Sequence, residues 1–464
     1  MSNSAEGPDR ERRSYLKAIA AASVFGTGAL AGCSGDGGSG SDGGSDGSSG
    51  DGSSDGSDGS GSGSTDQSSP TYNSTALEVL HPWTGGGGQN AINAVIEGFQ
   101  EEYPDIETDI RGVGATANVQ LNQMVNQRLA NQDPPAAFNA WPGAHLTQFM
   151  QSSRQLLGDI TESVWQHDDM EDAFVDEAKE LSRFDGRYVT VPIGSHRLNN
   201  LFFNLDVIES AGVTPEDVES PGDLIPLMEE VEANTDAVGM AQSMVNANTQ
   251  LQLWAAIHLG MHGYQSYMDL INGEGDLQSV TESVEMTSRY AEFFNEDAST
   301  VSPPSANQKI MNGEAGFYHQ GNWMAGGYNA NDLTYGEDWG WIAFPGTSNM
   351  YTLHMDAFVY PNNNPAPEKA IRWHRYVGSK EAQVNFNKHK GSIPLRTDVS
   401  MEEFGPFLTE TMEDFRNIEY RPPTLAHGLA VAPTTLVNLR EVFSSNFMGP
   451  YEVEATAQGI IDTI

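Results

Sequence analysis

Cysteine is almost missing from this chain, with Cys33 the only one in 464 residues. No intramolecular disulfide can form, and a cysteine-built zinc site is excluded. Basic residues are scarce as well: 23 Lys and Arg stand against 64 Asp and Glu, a formal net charge of −41. A field of that sign repels nucleic acid and anionic membrane surfaces, so neither is expected as a partner. In dilute buffer the same field destabilises the compact state, whereas in molar salt the Debye length shrinks to roughly 3 Å. The acids are dispersed along the chain instead of gathered in one place. That favours the protein of an extreme halophile over an acidic calcium-binding face. Enzyme signatures are missing too. There is no His-Glu-x-x-His and no Gly-x-x-x-x-Gly-Lys-Ser/Thr, and the four glycines at 85–88 read as a strand-to-helix turn.

Long apolar runs are also lacking. The longest begins at Ala18 and ends by Gly32, short of the roughly 20 residues a membrane span needs. It follows Arg12-Arg13-Ser14-Tyr15-Leu16-Lys17 and runs into Leu30-Ala31-Gly32-Cys33. A cationic start, apolar middle and small-residue end make a secretory signal. The arginine pair resembles a twin-arginine signal, which exports folded proteins. Leu-Ala-Gly-Cys resembles a lipobox, which implies that Cys33 is lipidated, becomes the first mature residue and anchors the chain at the outer face of the membrane. Residues 34–69 are almost entirely Gly, Ser and Asp. Nothing there can form a core, and the stretch reads as a tether with a coil reach of roughly 30–35 Å.

From Leu77 onward the composition is that of a folded domain. Leu77-Glu78-Val79-Leu80 predicts a strand, and Ile92, Val95, Ile96, Phe99 and Tyr103 mark a helix stripe. Asp105 to Arg111 predicts a second strand, Leu121 to Leu129 a second helix and Ala136 to Ala140 a third strand. Strand-like stretches recur at 187–192, 201–204, 313–318 and 357–360, with a mostly helical region between 221 and 295. Alternating strands and helices predict an α/β fold with a mixed or largely parallel sheet covered on both faces. No tandem repeat or second linker interrupts 76–464.

Several stretches resemble, in order, the extracellular sugar-binding proteins of ABC transporters (solute-binding protein family 1). They are the tether, Leu77-Glu78-Val79 with Trp83-Thr84-Gly85-Gly86, Asp133-Pro134-Pro135, Tyr188-Val189-Thr190-Val191-Pro192, Met311 to Gly316 with Gly321-Asn322-Trp323, and Val377 to Gln383. Lys390-Gly391-Ser392-Ile393 and His427-Gly428 are most similar to the glucose/galactose-binding branch. The resemblance implies a type II periplasmic-binding-protein fold, maltose-binding-protein-like, with two lobes and a ligand cleft between them. Signal peptide 1–32, lipidated cysteine and tether 33–75 and binding domain 76–464 would follow one another. Lobe 1 is expected at about 76–188 and 329–363, and lobe 2 at about 189–328 and 364–464, with crossings near 188–192, 322–328 and 361–367. Function would be capture of a sugar, glucose or a related saccharide, by lobe closure and delivery to an ABC permease, by a monomer with no cofactor and no catalysis.

A sugar presents fixed hydroxyls and flat C–H patches, so its site needs aromatic faces and planar or charged hydrogen-bonding groups. Trp83, Trp141, Trp254 and Trp323 are the aromatic candidates. The resemblance points to Asn322, Asp356, Lys390 and His427 for polar contacts, with His196 and Arg197 after the first crossover. Gln89 stands where the relatives have an acidic residue, which separates this chain from identical specificity. Two rivals are a tethered polysaccharide hydrolase, which would need a carboxylate pair across the cleft, and an adhesive surface lipoprotein, which would need no buried tryptophans.

Overall fold

The structure is a computed structural model describing residues 76–114, 118–150 and 155–464. The expected signal, Cys33 and the tether lie outside the described residues. The described residues form eleven strands: β1 (Leu77–His81), β2 (Thr108–Gly112), β3 (Ala137–Ala140), β4 (Arg183–Phe184), β5 (Arg187–Tyr188), β6 (Thr190–Arg197), β7 (Asn200–Asn204), β8 (Val238–Ala241), β9 (Ala315–Gln320), β10 (Trp339–Ala343) and β11 (Leu353–Val359). Eight of the helices bear on the site: α1 (Gly86–Glu102), α2 (Val119–Ala130), α3 (Ala247–Asp269), α4 (Ala325–Ala330), α5 (Pro367–Val377), α6 (Lys380–Lys390), α7 (Pro406–Asn417) and α8 (Pro433–Asn446).

Two sheets organise the molecule, one of five strands in the order β2-β1-β3-β11-β6 and one of four in the order β10-β7-β9-β8. In the first, β1 runs parallel to β2 and β3, while β11 is antiparallel to both β3 and β6. Every residue of β1 is buried, as expected for a central parallel strand covered on both faces. Its Glu78 is held between Arg111 and Arg128, the latter at 2.7 Å. α1 lays Ile92, Val95 and Phe99 on this sheet, and Phe99 meets Trp373 and Tyr376 of α5 edge-on. α6 is capped by Ser379, whose hydroxyl accepts from the Ala382 N–H, and it stops at Gly391 in the left-handed region, φ 75°. That glycine is the ordinary helix terminator, since only Gly takes this conformation without a Cβ penalty.

The lobe boundaries differ from the sequence expectation. β6 belongs to the first sheet, so the chain first crosses between the lobes at 198–199 instead of 188–192. β10, expected in lobe 1, pairs antiparallel with β7 in the second sheet. The chain therefore returns along 344–352, and no crossing occurs at 322–328: α4 stays in lobe 2, with Tyr328 against Phe202 and Trp339. α5 and α6, expected in lobe 2, remain on the first sheet, where Gln383 and Asn387 donate to the carbonyls of Pro192 and Ile193. The last passage to lobe 2 precedes α7, whose Phe407 packs against Trp339. The short, apolar Trp339-Gly340-Trp341-Ile342 and the His-bearing start of β11 lack a clear alternation, which hid β10 and the first half of β11 from a reading of the pattern, while 357–359 was expected as strand.

Candidate functional site

The site begins as a consequence of strand geometry. In the β6–β11 ladder His354 lies opposite His196, and Asp356 lies opposite Gly194. Residues two apart on a strand share a face, so His354, Asp356 and His196 project together while Arg197 points to the other side. A register shift directly after Asp356 ends the regular pairing there, as bulges beside functional sites commonly do. His196 Nε2 is 3.5 Å from Asp356 Oδ2, and His354 Nε2 is 3.9 Å from Asp356 Oδ1. The two imidazoles are stacked, 5.8 Å between centroids.

Four further segments close around this trio. After β9, Gly321-Asn322-Trp323 turns so that the Asn322 amide oxygen lies 2.8 Å from His196 Nδ1 and the Trp323 ring meets His196 edge-on at 5.0 Å. Lys390, at the end of α6, places its ammonium 5.6 Å above the Trp323 ring. Loop 391–393 is fixed to β6 by paired hydrogen bonds between Ser195 and Ile393, at 2.9 and 3.0 Å. From lobe 1 comes Trp141, at 5.3, 5.5 and 5.4 Å from the rings of His145, His354 and His427. From lobe 2 comes His427, 4.8 Å from His354 and 5.4 Å from Trp323. The 141–145 and 427–429 loops are tied together by the Ala144 N–H, which donates to the Leu429 carbonyl at 3.2 Å. The two lobes are thus shut over the cluster.

Within it, polar atoms are left over. His145 Nδ1 and Nε2, His196 Nε2, Asn322 Nδ2, His354 Nδ1 and His427 Nδ1 are buried without a hydrogen-bond partner among the described residues. Unpaired buried groups cost stability, so such a concentration points to a polar guest that completes them. Burial holds the histidines neutral: His145 is lowered to about 4 and His427 to about 3, with the nearby Arg440 charge adding to both. Burial and the Lys390 charge lower His196 in the same direction. Burial opposes ionisation of Asp356, but contact with His196 and the Lys390 charge outweigh it and keep the carboxylate ionised. Burial likewise depresses Lys390, which Asp356 partly offsets. The cleft therefore offers one carboxylate, one ammonium, neutral imidazoles, an amide and two indoles. That is a set suited to a neutral, hydroxyl-rich ring with flat apolar faces.

Residues 94–409 match the family of bacterial extracellular solute-binding proteins. The chain belongs to this family. It is 46% identical, over 98% of its length and 97% of the relative's, to the xylose/arabinose-binding protein XacG of Haloferax volcanii. It is 27% identical over 82% of its length, and 86% of the relative's, to an ABC transporter extracellular-binding protein of Pyrococcus horikoshii. Among solved structures, the bacterial solute receptor AcbH, described as preferring β-D-galactopyranose, superposes with a TM-score of 0.72 at 17% identity, over 83% of this chain and 97% of that one. A chitin oligosaccharide binding protein does so with 0.72 at 16%, over 83% and 97%. These likenesses bear out the two-lobed α/β fold with a cleft. Membership of a solute-binding family also removes the hydrolase reading.

Of the residues singled out from this solute-binding protein's sequence, Trp141, His196, Asn322, Trp323, Asp356, Lys390 and His427 come together in the cluster. Three do not. Arg197 turns away from it, donating to Asp414 at 2.5 Å and to the Met350 carbonyl at 3.1 Å with its guanidinium over Trp341; it ties the end of β6 to α7 of the second lobe. Trp254 is lobe 2 core, its indole N–H donating to Ser283 at 2.9 Å and its ring packed on Phe443. Trp83 stacks on His81 and meets Phe358 and Phe386, so its ring packs within lobe 1. Sequence reasoning missed His145 and His354. The spacing His354-x-Asp356 was the available signal, because on a strand it sets both side chains on one face.

Proposed function

We propose that this chain captures a monosaccharide in the shut cleft and hands it to an ABC permease. The observation that carries the reading is the set of unpartnered buried polar atoms walled by Trp141 and Trp323. Hydroxyls would satisfy those atoms, and the indoles would cover the C–H faces of the ring. Ligand contacts from both lobes favour the shut state over an open one, which is how binding becomes a signal to the permease. The naming of the 46% identical relative for xylose and arabinose supports a pentose. The Lys390-Gly391-Ser392-Ile393 and His427-Gly428 stretches support glucose or galactose. Lipidation at Cys33 and the Gly/Ser/Asp tether would keep a monomeric carrier within reach of its partner at the outer membrane face. No described helix is long and apolar enough to cross a membrane.

A thermal-shift panel of D-xylose, L-arabinose, D-glucose and D-galactose in molar KCl tests the reading. A ligand of the folded state at a hundredfold excess over its Kd stabilises by about 2.7 kcal/mol, a shift of several degrees. One or two of the four should raise the midpoint. If none does, and a wider set of mono- and disaccharides is equally silent, the sugar reading is wrong.

A further inference from the structure

Asp356 faces two imidazoles with two different oxygens, Oδ2 at 3.5 Å from His196 Nε2 and Oδ1 at 3.9 Å from His354 Nε2. A neutral imidazole carries one N–H and one bare lone pair. A lone pair facing a carboxylate is repelled and an N–H is attracted, so the carboxylate selects which nitrogen bears the proton. Both rings are buried and have Lys390 for a cationic neighbour, which disfavours a second proton on either. We infer that Asp356 is a positioning residue that holds His196 and His354 in the Nε2–H form, leaving the bare Nδ1 of His354 as an acceptor for a ligand hydroxyl.

The assignment reaches one step further. With its proton on Nε2, His196 must accept at Nδ1, where the Asn322 amide sits 2.8 Å away. The amide then turns its NH2 end to the ring, and its oxygen takes the place of the atom that has no partner. The two ends of an amide are nearly isosteric, so this turn needs no movement of the backbone. His354 Nδ1 and Asn322 Oδ1 thereby join the carboxylate as acceptors, with the Lys390 ammonium, over the Trp323 ring, as a nearby donor. Acceptors of this kind read hydroxyl hydrogens. A sugar lacking the matching hydroxyl leaves an acceptor unpaired and should bind about tenfold more weakly. Only this last consequence rests on the sugar reading; the tautomers are a property of the free protein.

Long-range 1H–15N correlation spectra of the full-length chain, labelled on histidine and free of ligand in molar KCl, test it. His196→Gln and His354→Gln identify the two signals. Both should show a protonated Nε2 and a bare Nδ1. Asp356→Ala should move His354 toward a mixture of tautomers, and Asp356→Glu should restore the single form. An Nδ1–H His354 in the unsubstituted protein overturns the inference whether or not the variants fold. So does an unchanged pattern in an Asp356→Ala protein whose circular dichroism is native. If the spectra match and no sugar binds, the tautomer assignment stands and the sugar reading falls alone.

Discussion

Trp141 and Trp254 are both almost wholly buried, yet their neighbours assign them different work. Trp254 has its one donor satisfied by Ser283 and is packed among lobe 2 side chains. Trp141 sits among three histidines, with loops of both lobes against it. Trp254→Ala should cost about 3–5 kcal/mol of stability, the usual range for emptying a core tryptophan site, while the protein that remains folded binds its sugar with unchanged Kd. Trp141→Ala should lose tenfold or more in affinity at a much smaller stability cost. Denaturant titration and calorimetry on the two variants separate these outcomes, and equal affinity losses would reject the distinction. Residue type alone could not have drawn it: in the sequence each is a tryptophan between small or apolar residues, Ala140 and Pro142 in one case, Leu253 and Ala255 in the other. The site residues that were legible carry a motif or are rare, as Lys390 is in so acidic a chain. His354 was hidden because its meaning comes from the residue opposite it on β6, a pairing about 160 positions away that no local pattern announces.

At the level of elements, the site depends on how α6 ends. Gly391 closes the helix with φ 75°, and a Cβ added there would lie 3.2 Å from the Asn322 carbonyl oxygen and 3.3 Å from Trp323 Cα. The glycine thus does two things: it turns the chain away just after Lys390, and it lets lobe 1 approach the Asn322–Trp323 turn of lobe 2. Gly391→Ala should cost about 1 kcal/mol for the strained conformation. It should also hold the lobes slightly apart, which would weaken sugar binding about tenfold or more and raise the radius of gyration of the sugar-saturated protein. Small-angle scattering with and without sugar reads the second effect, and a saturated variant as compact as the unsubstituted protein would refute it. α1 and α2 were legible because their apolar periodicity is strong, and β1 and β3 because each is a short apolar run in a strand–helix alternation. β8 and β10 were not: β8 lies inside a stretch that reads as mostly helical, and β10, Trp339-Gly340-Trp341-Ile342-Ala343, shows no alternation. The lobe crossings were misplaced for a related reason: strand partners, and with them lobe membership, are settled by long-range pairing that composition does not record.

For the whole molecule, charge and buried histidine set opposite limits on the conditions it tolerates. A net charge of −41 repels itself over the roughly 10 Å Debye length of 0.1 M salt, but over only about 3 Å at 1 M. The far-UV circular dichroism should therefore weaken in dilute buffer and recover in molar KCl; a spectrum indifferent to salt would count against a halophilic design. Acid should act differently. Burial lowers His81, His145, His319 and His374 to about 4, and His258 and His427 to about 3, from an ordinary value of 6.5. Because each folded-state value lies below the unfolded one, the unfolded chain binds more protons between about pH 6.5 and 4. Stability contributed by the neutral histidines is complete above pH 6.5 and is lost as the pH falls through that window. The loss is about 1.4 kcal/mol per unit for each histidine once the pH is well below 6.5. Ordinary carboxylates stay mostly ionised down to about pH 5, so over the upper part of that window the loss comes from the histidines. His145 and His427 sit where the two lobes meet, so their protonation should also favour the open state and raise the sugar Kd over the same range. Denaturant midpoints at pH 7.5, 6 and 5 in constant molar KCl, paired with sugar titrations, test both consequences; midpoints that hold steady down to pH 5 would show that these rings are not buried neutral.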